Sequence, residues 1–138
     1  MRPTTNADCK GDPRAKHTIN ITIAVARRLG QLQFAETMAA GREQPLWPHV
    51  DAALAVLRPE QCSDEDLADW ALRAEQLGEM TSDDYQQLGT LMRRSVLTAV
   101  RTLRVRLRSI GVTDVDVQAV LTAALTTYLD AYEGQAGE

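Results

Sequence analysis

Apolar and polar residues alternate most strictly over Thr18-Ile19-Asn20-Ile21-Thr22-Ile23. This run of β-branched residues predicts a strand with its isoleucines inward and Thr18, Asn20 and Thr22 outward. The period changes at Ala24, where Val25, Leu29, Leu32 and Ala35 recur at helical spacing as far as Ala40, and Gly41 stands where a helix ends. A second helix is expected from Leu46 to Leu57, with Pro48 in its first turn and Trp47, Val50, Leu54 and Leu57 on one stripe. Ser63 and Asp66 have the spacing of a capping box and start a third helix, whose inner face is Leu67, Trp70, Ala71, Ala74 and Leu77 and whose end is set by Gly78.

The longest periodic stretch follows Ser82. Tyr85, Leu88, Met92, Val96, Ala99, Leu103, Leu107 and Ile110 keep a three-four spacing up to Gly111, predicting one continuous helix. Leu103 to Arg108 also alternates, but inside that stronger helical period. A last helix is expected from Asp114 to Tyr132, and no internal repeat is visible. The expected fold is therefore mainly α, with one short N-terminal strand followed by about five helices.

A lone strand leaves its main-chain N–H and C=O groups without partners. Its simplest complement is the same segment of a second molecule, giving an intermolecular, two-fold symmetric ribbon. Such a ribbon fits the major groove of B-DNA, where asparagine can read adenine and threonine either polar edges or the thymine methyl.

Composition adds that low aromatic content (4%) and an Ala- and Leu-rich apolar fraction favour helices over a large sheet. The two cysteines, Cys9 and Cys62, are too few for a disulfide framework and suggest a cytoplasmic protein with reduced thiols. The net charge of −4 is unevenly laid out. Six basic residues oppose Asp8 and Asp12 up to Arg28, acids dominate from Leu29 to Met92, six arginines without an acid fill Arg93 to Arg108, and the remainder is acidic. Basic islands of this kind suit an anionic partner or pairing with the acidic blocks. On a helix, Arg93, Arg94, Arg101, Arg104 and Arg108 share one sector, a secondary basic face that could follow phosphates or dock the acids of the third helix (Asp64, Glu65, Asp66, Asp69).

Strand, helix, Gly41-Arg42 connector and helix over residues 17–57 resemble the ribbon-helix-helix family of DNA-binding proteins. The resemblance implies base reading by Thr18, Asn20 and Thr22 and a phosphate grip by the backbone at the start of the second helix, near Gln44 to Trp47, with Arg42 as a further phosphate contact. Gln44-Pro45 stands where the family has a capping Ser or Thr, and the ribbon itself lacks a basic residue. Lys10, Arg14 and Lys16 just before it would supply phosphate contacts. On this reading residues 1–16 are a flexible basic arm, 17–58 the DNA-binding module, 63–132 a helical oligomerisation or partner domain, and 133–138 a tail.

His17 and His49 have no metal-ligand spacing with the cysteines, and phosphate-loop, dinucleotide and nucleophile-elbow motifs are missing, so neither enzyme, metal nor cofactor is expected. The function expected is sequence-specific binding of double-stranded DNA as a homodimer or higher oligomer, in a transcriptional regulator or a plasmid partition or mobilisation accessory. The competing class is a helical scaffold, a subunit of a larger assembly, whose arginine helix binds protein or RNA backbone.

Overall fold

The computed structural model describes residues 11–80 and 84–136. The element order is β1 (Arg14–Thr22), α1 (Ile23–Ala40), α2 (Trp47–Ala55), α3 (Asp64–Met80), β2 (Tyr85–Arg93), α4 (Arg94–Ser109) and α5 (Val117–Ala136). The expected mainly helical fold holds, but the strand has a partner in its own chain. β1 pairs antiparallel with β2 along all nine residues, from Arg14 opposite Arg93 through Thr18 opposite Gly89 to Thr22 opposite Tyr85. A second molecule is not needed to complete the ribbon.

This corrects the continuous helix expected after Ser82, a residue outside those described. Tyr85, Leu88 and Met92 fit a helical stripe, but Leu88, Thr90 and Met92 fit a strand face equally well. Pairing with β1 decides between them, because an unpartnered β1 would bury its main chain unsatisfied. Gly89 also costs a helix about 1 kcal/mol relative to Ala.

The two strands begin two copies of one unit. Each runs directly into a helix, α1 or α4, and each of these ends at a left-handed glycine, Gly41 (φ 76°) or Gly111 (φ 86°). A second helix follows in each unit, α2 or α5. The junctions match as well. The N–H of Ile23 donates to Asp84 O at 3.1 Å, and that of Arg94 donates to Pro13 O at 2.9 Å. Each half's first helix thus closes on the residue preceding the other half's strand. The repeat was invisible in the sequence because no strand position carries the same residue in both copies.

The halves interlock. β1 lies against α5 and β2 against α2, while α2 and α5 pack on each other. One core runs through both, including Ile19, Ile21, Val25, Leu29, Val50 and Leu54 from the first and Met92, Val96, Leu103, Leu121 and Leu125 from the second. The sequence boundary between residues 58 and 63 therefore does not separate two cores. Polar contacts add to the apolar ones. Glu36 accepts from Tyr132 Oη (3.0 Å) and lies 2.7 Å from His49 Nε2, whose Nδ1 is 2.8 Å from Tyr128 Oη. Arg28 pairs with Asp130 (2.9 Å) and Glu133 (3.0 Å).

The link between halves is α3. Its capping box forms as expected, Ser63 N donating to Asp66 Oδ2 (3.2 Å) and Asp66 N to Ser63 Oγ (3.1 Å), although the helix runs past Gly78 to Met80. Trp47 at the start of α2 lies by Arg14, at the opposite end of the ribbon from Tyr85, where β2 begins. The ribbon is about 30 Å long at roughly 3.4 Å per residue. A 17-residue helix rises about 25 Å, enough to carry the chain back. Leu67, Ala71 and Ala74 bury its inner face, which packs on α5. Arg106 ties the turn before α3 to α4 by donating to Leu57 O (3.2 Å) and Cys62 O.

The two helix starts are capped differently, one locally and one across the ribbon. Thr22 Oγ1 accepts from Val25 N in α1 (3.4 Å). At α4 the cap comes from the chain before β1, where Asp12 accepts from Ser95 N (2.8 Å) and Ser95 Oγ (2.7 Å). Burial raises the Asp12 pKa, but the Ser95 hydrogen bonds, with Arg93 and Arg58 nearby, outweigh it and hold the carboxyl below its ordinary value. Its stabilisation is thus present above that ordinary value and lost as pH falls through the folded one.

Two outcomes are expected. Because the ribbon closes within one chain, the thermal midpoint is independent of protein concentration over a hundred-fold dilution. A midpoint that falls with dilution contradicts intramolecular closure. Asp12→Ala removes a helix cap and destabilises by about 0.5–2 kcal/mol at neutral pH. Denaturant titrations down the acid limb should show the gap between variant and parent closing as Asp12 protonates.

Candidate nucleic-acid interface

Strand geometry sends alternate side chains to opposite faces of the ribbon. The inner row is Ile19, Ile21, Thr90 and Met92, all buried against the helices, with Ala15, His17 and Leu88 half-buried beside them. The outer row of β1 is Arg14, Lys16, Thr18 and Asn20; that of β2 is Gln87, Gly89, Leu91 and Arg93. Lys16 stands opposite Leu91, Thr18 opposite Gly89, and Asn20 opposite Gln87. Among the described residues no helix covers this outer face, where Lys16, Thr18, Gln87 and Gly89 are exposed. It is a shallow platform of hydrogen-bonding groups and one apolar side chain, with cations at one end.

Thr18 and Asn20 are where the sequence placed them, but Thr22 is not. It is buried, with its hydroxyl engaged as the α1 cap, so it leaves the expected base-reading set. Strand alternation ends where the helix begins, which is also why Ile23 is exposed instead of packed inward. Lys16 lies within the strand, giving the ribbon the basic residue it was expected to lack. Gln87, Gly89 and Leu91 were missed, because their segment was read as helix. The signal that could have found them is Gly89, which costs a helix about 1 kcal/mol relative to Ala in the middle of the expected helical period.

The expected basic face divides. Arg93 belongs to the ribbon's end: its N–H and Nε donate to the buried carboxylate of Asp51 at 2.8 and 2.7 Å, fixing β2 to α2. Arg94, Arg101, Arg104 and Arg108 are exposed on α4, and among the described residues none is in an ion pair. Docking against the acids of α3 therefore does not occur. Only Arg106, which flanks the apolar stripe, comes near one of them, at 3.9 Å from Asp64. Arg101 and Arg104 line one groove with His17, Thr18, Asn20 and Gln118, beside β1. Two sets of residues far apart in sequence thus meet on one surface: outward ribbon side chains and unpaired arginines. Burial and then Arg101 lower the His17 pKa, so its imidazole favours the neutral form.

At the ribbon's other end, the Arg14 guanidinium lies 4.8 Å from the Trp47 ring centroid, a cation–π contact that explains why Trp47 is half-buried and not a core residue. Arg42 is exposed on the connector. Gln44 is committed internally, its N–H to Thr37 Oγ1 (3.1 Å) and its carbonyl to Gln33 Nε2 (2.8 Å), so its own main-chain amide is not free for a phosphate. Lys10 lies outside the described residues. Groups of three or more His, Cys, Asp or Glu side chains able to hold a metal do not occur among the described residues. Nor, among those residues, is any helix long and apolar enough to cross a membrane.

Comparison with protein-family models, with curated proteins and with solved structures finds no match.

Replacing Arg101 tests the groove. Arg101→Gln should raise the His17 pKa toward the ordinary histidine value while leaving the part due to burial. The measurement is an NMR titration of the imidazole protons. As folding holds His17 neutral, parental stability falls when the pH drops below that ordinary value, since the unfolded chain takes the proton first. The variant's loss over the same window is smaller.

Proposed function

We propose that this chain carries both halves of a ribbon-helix-helix unit in one polypeptide and binds double-stranded DNA at a defined sequence. The observation that carries the reading is the intramolecular ribbon, whose open face presents Lys16, Thr18, Asn20 and Gln87 beside the exposed Arg101 and Arg104. A two-stranded ribbon enters a major groove about 12 Å wide, where each base pair shows a distinct set of donors and acceptors. Asn20 and Gln87 each offer an amide that can bond adenine N6 and N7 together, and Lys16 can donate to guanine O6 and N7. Arg101, Arg104 and Arg14 lie beside these reading positions and supply the sequence-independent attraction to phosphates. The chain's net charge of −4 does not oppose this, because binding responds to the local field.

The reading covers a transcriptional regulator and a partition or mobilisation accessory alike. It differs from the scaffold alternative in requiring base readout. Selection from a random DNA pool at two salt concentrations separates them. On the selected site, Asn20→Ala should weaken binding by about 1–3 kcal/mol and have little effect on random DNA. Arg104→Gln should weaken both and flatten the salt dependence by about one phosphate contact. A pool that yields no enriched sequence, or an Asn20 variant losing equally on both DNAs, excludes base readout.

A further inference from the structure

We infer that the site read by this ribbon is not an inverted repeat but two unlike half-sites, one adenine-rich and the other containing guanine and thymine. The inference rests on the DNA-binding reading above and specifies its ligand. A ribbon made by two copies of one strand has the same side chains on both sides of its two-fold axis, and so reads the same bases in both half-sites. Here the axis relating the halves passes through the central pair, Thr18 and Gly89. On one side lie Asn20 and Gln87, on the other Lys16 and Leu91.

These pairs differ in kind. Asn20 and Gln87 are adjacent amides, each matched to the N6 donor and N7 acceptor of adenine. Lys16 has three donors and no acceptor, which suits guanine O6 and N7, while Leu91 can only make apolar contact, which suits the thymine methyl. The central pair is unequal too. Thr18 has a hydroxyl and a methyl to offer, whereas Gly89 has no side chain, and a Cβ built there meets nothing within 4 Å. The packing of the fold therefore does not exclude a side chain from that position.

The flanks carry the same difference. Arg14 stacks on Trp47 beside the Lys16–Leu91 end. Across the axis its counterpart is Tyr85, whose pKa is raised by burial and by nearby Asp116. One end thus has a cation held on an indole where the other has a phenol. Such a complex has only one productive orientation on its site.

Selection from a random pool, performed on the full chain, tests this through symmetry. The parent should yield a consensus that does not match its own reverse complement. Lys16→Gln combined with Leu91→Asn places an Asn–Gln pair on both sides of the axis, and its consensus should become an inverted repeat of the adenine half-site. The reciprocal variant, Asn20→Leu with Gln87→Lys, should yield an inverted repeat of the other half-site. It carries the test if circular dichroism shows the first variant unfolded, and the parental consensus is informative without either. An inverted repeat from the parent overturns the inference and leaves DNA binding standing. An asymmetric parental consensus unchanged by folded variants overturns the assignment to these four residues. No enrichment by the parent removes the DNA-binding reading itself, and this inference with it.

Discussion

The whole arrangement depends on satisfying the main-chain hydrogen bonds of one strand. β1 buries Ile19 and Ile21 on one face and leaves the other open, so packing alone cannot satisfy its peptide groups. β2 meets that need along all nine positions. Once this ladder is set, the chain has little freedom elsewhere. Antiparallel pairing sends α1 and α4 out from opposite ends of the ribbon, and the cross-ribbon bonds from Ile23 and Arg94 fix where each helix starts. α2 and α5 then close the core over the inner row.

Much of this was legible in the residues. The isoleucine-threonine alternation marked β1, Gly41 marked the end of α1, and Ser63 with Asp66 marked the start of α3. Each is a local signal with a local cause. β2 was not legible in the same way, because Leu, Met and Gln are good helix formers and their spacing suits either period. Only the long-range demand of β1 chooses the strand. The error carried over: with β2 taken for helix, the sequence offered β1 no partner except another molecule. The strand does need a partner, and β2 of its own chain is that partner.

The candidate surface was half visible for the same reason. Thr18 and Asn20 followed from alternation, while Gln87, Gly89 and Leu91 depended on register. Thr22 shows the limit of alternation at a strand's end, where capping the next helix takes priority over continuing the outward row. For the arginines, sequence gave a common helical face but not a neighbour. The acids of α3 lie upstream in the acidic block, yet α3 packs on α5 through its apolar side. The acids paired across the halves include Asp51, Asp130 and Glu133, which hold Arg93 and Arg28; among the described residues the exposed arginines of α4 are in no ion pair.

The bridge formed by α3 also bears on how such a molecule responds to its own abundance. When two separate chains must meet, the active form scales with the square of their concentration at low levels. A covalent link replaces that encounter with a fixed local concentration, which linkers of modest length set in the millimolar range. The ribbon is then complete in each newly made chain. The amount of complete ribbon rises in simple proportion to copy number.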